Sequence, residues 1–134
     1  LYVDAIGKAV LPGFIDPHTH ARADLLDAAT SSNLNYLMQG VTTVFIGNDG
    51  DGLRERAERV QQMRTQGIGT NMAFFAGHGD LREQVMGLEN RAPTAAELAA
   101  MQRLLADEMR AGALGLSTGL HRVVAHRGGI RRRL

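Results

Sequence analysis

Uncharged apolar runs alternate along this chain with stretches in which apolar residues return every three or four positions, the rhythm of strands alternating with helices. Ala9-Val-Leu-Pro-Gly-Phe-Ile-Asp16 is a short apolar run broken by a Pro-Gly turn, which predicts a buried strand over Gly13 to Asp16 opening into a polar loop. Between Asp24 and Gln39, Leu25, Leu26, Ala29, Leu34, Leu37 and Met38 follow an irregular helical spacing interrupted by Thr30-Ser-Ser-Asn33, so a broken helix is expected. Gly40 precedes Val41-Thr-Thr-Val-Phe-Ile46, a β-branched run without charge, as for a strand covered on both faces. That strand ends in Gly47-Asn-Asp-Gly-Asp-Gly52.

Leu53, Ala57, Val60 and Met63 then recur against a polar face of Arg54, Glu55, Glu58 and Arg59, predicting an amphipathic helix to about Gln66, ended by Gly67 and Gly69. Asn71-Met-Ala-Phe-Phe-Ala76 reads as a third buried strand, finishing at Gly77-His78-Gly79-Asp80. Thr94 and Glu97 have capping-box spacing at the start of a further helix whose buried stripe is Leu98, Met101, Leu105 and Met109. Gly112 closes it, and Ala113-Leu-Gly-Leu-Ser117 begins a fourth strand. The methionines on these stripes read as core filler.

Four strands separated by helices make an α/β fold with a parallel sheet. Two architectures fit: the first half of a (β/α)₈ barrel, or part of an open doubly wound sheet. A complete barrel takes about 250 residues, so the 134 residues of this chain cannot close one.

Composition narrows the chemistry. With 44% hydrophobic and 22% charged residues, the chain has the make-up of an ordinary soluble domain. The absence of cysteine excludes a disulfide scaffold, a Cys-zinc ribbon and a thiol nucleophile. No run reaches the ~18 apolar residues of a membrane span, so no membrane association is expected. The chain opens on Leu1 with no basic region followed by an apolar run, which makes the cytoplasm the default location.

Charge is distributed unevenly. All 14 acidic residues lie at or before Glu108, whereas Arg122, Arg127, Arg131, Arg132 and Arg133 crowd the end, so the formal +1 belongs to the tail. Residues 121–134 read as a disordered, solvated tail; with no aromatic platform and no basic face in the preceding part, no nucleic-acid partner is expected.

Three polar elements sit at predicted strand ends. Asp16-Pro17-His18-Thr19-His20 carries two histidines at i and i+2, which on extended backbone point to one side and can reach one cation of the zinc class. His-x-His alone is weakly specific, and exposed or merely hydrogen-bonded histidines are the competing reading. In Asn48-Asp49-Gly50-Asp51, an aspartate can ligate a metal or cap the following helix, and Asp51 is assigned to the cap. A calcium-binding EF-hand is a poor match, because the later ligand positions are missing. His78 is read either as satisfied by neighbouring backbone or as facing a substrate.

Gly115-Leu-Ser117-Thr-Gly119 has the form of a G-x-S-x-G nucleophile elbow, yet no Asp or Glu follows Glu108 to complete a triad. Ser117 is therefore read as a strand-end residue. A serine hydrolase is the reading to be excluded.

Taken together, Val10-Leu-Pro-Gly-Phe-Ile-Asp-Pro-His-Thr-His20, Gln39-Gly-Val-Thr-Thr-Val44, Gly47-Asn-Asp-Gly50, Gly77-His78 and Gly112-Ala-Leu-Gly-Leu-Ser-Thr-Gly-Leu120 resemble the successive blocks of the D-aminoacylases. These are N-acyl-D-amino-acid deacylases of the metal-dependent amidohydrolase superfamily. The resemblance implies a (β/α)₈ barrel with a small flanking β-sandwich: residues 1–8 would be the end of the sandwich segment, 9–120 the first half of the barrel, and 121–134 a non-family tail. It implies that His18 and His20 are metal ligands, with Zn²⁺ or another divalent ion as cofactor. Asp49 stands where many members carry a cysteine ligand, and a carboxylate oxygen also binds zinc. His78 falls in the block that would face substrate.

The implied reaction is hydrolysis of an N-acyl-D-amino acid to a carboxylate and a free D-amino acid. The metal polarises the amide carbonyl and activates water, and an aspartate carries the proton to the leaving amine. Related enzymes acting on cyclic amides share the His-x-His start. The resemblance also implies two more histidine ligands and the catalytic aspartate in later barrel units. None has a counterpart here, so the chain is expected to be a truncated or frame-shifted copy, inactive by itself. The alternative is a non-catalytic half-barrel that binds metal or a partner through its open strand edges. Oligomeric state, metal number and side-chain preference are left open.

Overall fold

A computed structural model describes residues 2–119 of the chain; the expected tail at 121–134 lies outside the described residues. The elements follow in the order β1 (Phe14–Asp16), α1 (Arg22–Leu26), α2 (Leu34–Leu37), β2 (Val41–Ile46), α3 (Arg56–Gln66), β3 (Asn71–Phe74), β4 (Ala76–Gly77), α4 (His78–Met86), α5 (Ala95–Arg110) and β5 (Leu116–Ser117). The pairs β1–β2, β2–β3 and β4–β5 are all parallel.

Phe75 interrupts the third strand. Its N–H donates to the Ile46 carbonyl at 3.0 Å, while Leu114 N–H donates to Phe74 O and Ala76 N–H to Gly115 O, both at 2.9 Å. Thus β3 and β4 form one broken strand between β2 and β5. Strand order follows chain order without reversal, unlike the reversed order of a doubly wound sheet. The sheet is open, and no closed barrel forms among the described residues.

The period of two along the strands decides which side is packed. Val44 and Ile46 of β2, with Phe74 and Ala76 beside them, point to the helices and form the core with Leu25 of α1, Met63 of α3 and Leu53. Residues on the opposite face, Thr43 and Phe45, are only half-buried, so the expectation that β2 is covered on both faces is corrected. Phe45 and Phe75 pair their rings there at 5.5 Å. That face is where a closed barrel would keep its interior.

The expected broken helix is found as α1 and α2. Asn33 makes the break: it is fully buried in a left-handed conformation (φ 53°), and its amide donates to the Thr70 hydroxyl at 2.9 Å. The capping box of α5 forms as predicted, with Glu97 N–H donating to Thr94 Oγ1 and Thr94 N–H to Glu97 Oε2. The apolar stripe of α5 is narrower than expected. Met101 is buried and Leu105 partly so, but Leu98 and Met109 are 47% and 44% exposed, because among the described residues α5 packs on α4 and the sheet along one flank only. Helix α4 was not anticipated; Leu81, Val85 and Met86 with a positive-φ Gly87 were its signal.

Candidate metal centre

Strands β1 and β2 end side by side, and each hands a short polar loop to the same edge of the sheet. After β1, the Asp16 carboxylate accepts the His18 N–H at 3.0 Å, turning the chain at Pro17. Thr19, between the two histidines, is buried: its N–H (3.1 Å) and hydroxyl (2.7 Å) both donate to the Phe45 carbonyl of β2. With Thr19 held inward, His18 and His20 are exposed on the other side.

After β2, Gly47, Asp49 and Gly50 all take positive φ (84°, 57° and 80°). A Cβ on Gly47 would stand 2.4 Å from the Phe75 carbonyl, so only glycine lets the loop turn this close to the next strand. Asn48 is buried, and its side-chain amide donates to the Thr19 and Phe45 carbonyls, each at 3.1 Å. The left-handed turn aims the neighbouring Asp49 outward at the histidines.

The outcome is a cluster. Asp49 Oδ2 lies 3.5 Å from His18 Nε2 and 3.4 Å from His20 Nε2, and one ligand atom from each residue falls within 4.8 Å of the others. Tetrahedral zinc with bonds of about 2.0–2.2 Å separates its ligands by roughly 3.3–3.6 Å. Two imidazoles and a carboxylate at that spacing are a donor set for Zn²⁺ or a similar divalent ion, and the exposed side of the cluster leaves room for further ligands.

The three residues singled out as ligands are therefore brought together. His78 is not part of the cluster: half-buried, it opens α4 at the end of β4, on the same strand-end edge. Asp51 is not the helix cap it was expected to be. Helix α3 starts only at Arg56, after a left-handed Glu55 with no side-chain cap. Asp51 instead receives both Arg22 Nη1 and Nη2 at 2.8 Å, and Arg22 Nη1 also donates to Gly52 O at 2.6 Å. Arg22 is two residues beyond His20 and Asp51 two beyond Asp49, so this fork ties the two ligand loops to each other.

Residues 2–127 match the profile of the amidohydrolase family. The chain belongs to that family. This amidohydrolase segment is 36% identical over 140 residues to both the N-acyl-D-aspartate deacylase and the D-aminoacylase of Alcaligenes xylosoxydans xylosoxydans, matching 87% of this chain and 28% of each enzyme. Among solved structures it superposes on D-aminoacylase with a TM-score of 0.70 at 33% identity, covering 81% of this chain and 27% of that one. The same values hold for N-acyl-D-glutamate deacylase from Bordetella bronchiseptica, solved with zinc and a phosphonate that mimics the tetrahedral intermediate. The chain thus spans about a quarter of the length of these relatives.

Within the amidohydrolase frame two further groups emerge that the motif reading passed over. One is the Arg22–Asp51 fork; the other is Asp80, buried at the start of α4, whose N–H donates to Gly50 O at 3.2 Å. Burial pushes the Asp80 carboxyl above the ordinary aspartate range, against the pull of the Arg54 guanidinium bonded to it at 3.0 Å. A cavity of about 650 Å³ opens beside this loop, walled by Arg22, Asp51, Arg54, Asp80 and Glu83. Among these lining charges Arg22 pairs with Asp51 and Arg54 with Asp80 and Glu83.

Proposed function

We propose that residues 9–120 are the first half of a (β/α)₈ amidohydrolase barrel, and that its reaction is hydrolysis of N-acyl-D-amino acids to a carboxylate and a free D-amino acid. The observation that carries the reading is the convergence of His18, His20 and Asp49 at the ends of two adjacent parallel strands. It is supported by the 33–36% identity to deacylases of N-acyl-D-amino acids. Residues 2–8, without helix or strand, are assigned to the end of a flanking β-sandwich.

Zn²⁺ or another divalent ion, held by His18, His20 and Asp49, would supply the Lewis acid that polarises the scissile carbonyl. The chain's own residues orient it: Thr19 and Asn48 fix the two loops, and the Arg22–Asp51 fork locks them together. His78, at the adjoining strand end, is assigned to the acyl-amino acid. No described residue is assigned to carrying the proton to the leaving amine.

Isothermal titration of the metal-free chain with ZnCl₂, beside the double variant His18→Ala/His20→Ala, tests the site. One ion per chain in the wild type, lost in the variant, is expected. Binding that survives the double substitution overturns the assignment. Release of the free D-amino acid from N-acetyl-D-glutamate or N-acetyl-D-leucine, at a rate abolished by chelation, supports the proposed reaction; release from the L-enantiomers alone overturns it.

A further inference from the structure

Ser117 lies in the one motif that the proposed reaction leaves unused, and its hydroxyl is fully engaged in the structure. It accepts the Gly50 N–H at 3.1 Å and donates to the Gly47 carbonyl. These two groups are the shoulders of the four-residue loop that carries Asp49. Within the loop, three of four residues have positive φ, and the turn is closed internally by Asp51 N–H on the Asn48 carbonyl at 3.0 Å. Gly47 and Gly50 take positive φ at no steric cost, whereas Asp49 is the one residue of the loop with a Cβ in the left-handed region, a conformation that its surroundings must select. The Ser117 hydroxyl is the clamp that does so from the end of β5.

A second contact comes from the same segment. A Cβ on Gly119 would stand 2.4 Å from the Asp49 carbonyl oxygen and 3.1 Å from its Cα, so the backbone at 119 runs directly against that of Asp49. The spacing Gly115-Leu-Ser117-Thr-Gly119 thereby acquires a reason other than nucleophilic catalysis. Ser117 supplies the clamp, and Gly119 supplies the clearance.

We propose that Ser117 is a positioning residue for the metal centre, holding the Gly47–Gly50 loop so that Asp49 Oδ2 meets the two histidine nitrogens. The inference rests on the metal site proposed above. It makes the metal's affinity depend on a strand three positions removed from the one bearing His18 and His20, and it gives the fourth strand a role in the site although it contributes no ligand.

The test is Zn²⁺ affinity by competition titration, together with the visible absorption of the Co²⁺-loaded chain, for wild type, Ser117→Ala and Ser117→Thr. Loss of an outer-shell partner costs on the order of 10–100-fold in metal affinity, so Ser117→Ala raises the Kd by that factor and shifts the Co²⁺ bands, while Ser117→Thr, which keeps the hydroxyl, stays near wild type. Thr94→Ala, which removes the α5 capping box, is the control for general destabilisation and leaves both readouts unchanged. Should Ser117→Ala fail to fold, Ser117→Thr and Ser117→Val give the same comparison at equal shape. Equal affinity and identical spectra with and without the hydroxyl overturn the role of Ser117 alone. A wild-type chain that binds no Zn²⁺, or binds it equally without His18 and His20, overturns the metal site beneath it.

Discussion

Replacing Asn48 by alanine separates the energetics of the two ligand loops from their chemistry. The buried Asn48 amide donates to two carbonyls at 3.1 Å, but their situations differ. Phe45 O keeps the N–H and the hydroxyl of Thr19 at 3.1 and 2.7 Å, so it remains satisfied after the substitution. Thr19 O loses the donor that reaches it from the neighbouring strand end. An unpaired buried carbonyl costs about 1–3 kcal/mol and the lost bond about 1 kcal/mol more, which places Asn48→Ala at roughly 2–4 kcal/mol. Thr19→Val removes one of three donors from Phe45 O at nearly constant shape and leaves no carbonyl bare, so its cost is about 0.5–1.5 kcal/mol. Urea unfolding of the 134-residue chain followed by circular dichroism reads both, with equal m-values as the check that compactness is unchanged. If Thr19→Val proved as costly as Asn48→Ala, or Asn48→Ala cost less than about 0.5 kcal/mol, the view that one side-chain amide joins these loops would be wrong.

Other expectations follow from single features of the fold. Asp49→Ala removes the carboxylate facing both histidines and abolishes Zn²⁺ binding in titration, whereas Asp49→Cys, a softer donor, retains it and favours Zn²⁺ over Mn²⁺ in competition. Saturating Zn²⁺ at about 100 times its Kd stabilises the chain by about 2.7 kcal/mol, seen as a rise in Tm that EDTA reverses. Leu25→Ala, at a fully buried position facing Val44 and Ile46, costs about 2–5 kcal/mol in urea unfolding. Acid acts on the α5 cap: paired hydrogen bonds from Arg91, then the Thr94 backbone N–H, hold Glu97 at about 2 against an ordinary 4.5. The folded value is the lower one, so the cap's contribution is intact above pH 4.5 and is lost as pH falls toward 2; Glu97→Gln flattens that limb of an acid titration followed by circular dichroism. Asp80 runs in the opposite sense: burial raises its folded value, so its ionised form costs stability that protonation returns.

Much of this was legible in the residues because strand ends are written locally. The apolar run into Asp16-Pro17-His18 and the β-branched run into Gly47 each announce where a strand stops, and parallel strands must stop on the same edge when helices return the chain between them. That puts His18, His20 and Asp49 on one edge of the sheet; that Asp49 joins the two histidines as a ligand was implied only by the resemblance of the Gly47-Asn-Asp-Gly50 block. Side-chain partners across loops were not legible. Nothing in the spacing of Asp51 distinguishes a helix cap from a partner for Arg22, 29 residues earlier, because the choice depends on how far the glycine-rich turn carries the chain before α3 begins. The stripe of α5 failed for a related reason: Leu98 and Met109 have core spacing, but burial belongs to the neighbour, and periodicity does not say which neighbours are present.

The arrangement also explains how an open sheet can hold a defined cluster at all. Its exposed flanks are its two outer strands: Phe14 and Ile15 on β1 and Leu116 on β5 are each about half or more exposed. The proposed ligands His18, His20 and Asp49 sit near the first of these flanks, where an open sheet should be least constrained. The ties described here run inward from that flank: Thr19 to β2, Asn48 back to Thr19, Arg22 to Asp51, and Ser117 on β5 to Gly47 and Gly50. Each links residues far apart in sequence through a polar group at least partly removed from solvent, so each favours one geometry over its neighbours in a way that apolar packing alone does not. The loops that carry the proposed ligands are therefore set by cross-strand hydrogen bonds among the described strands, and any further ligand would complete the centre without having to build it.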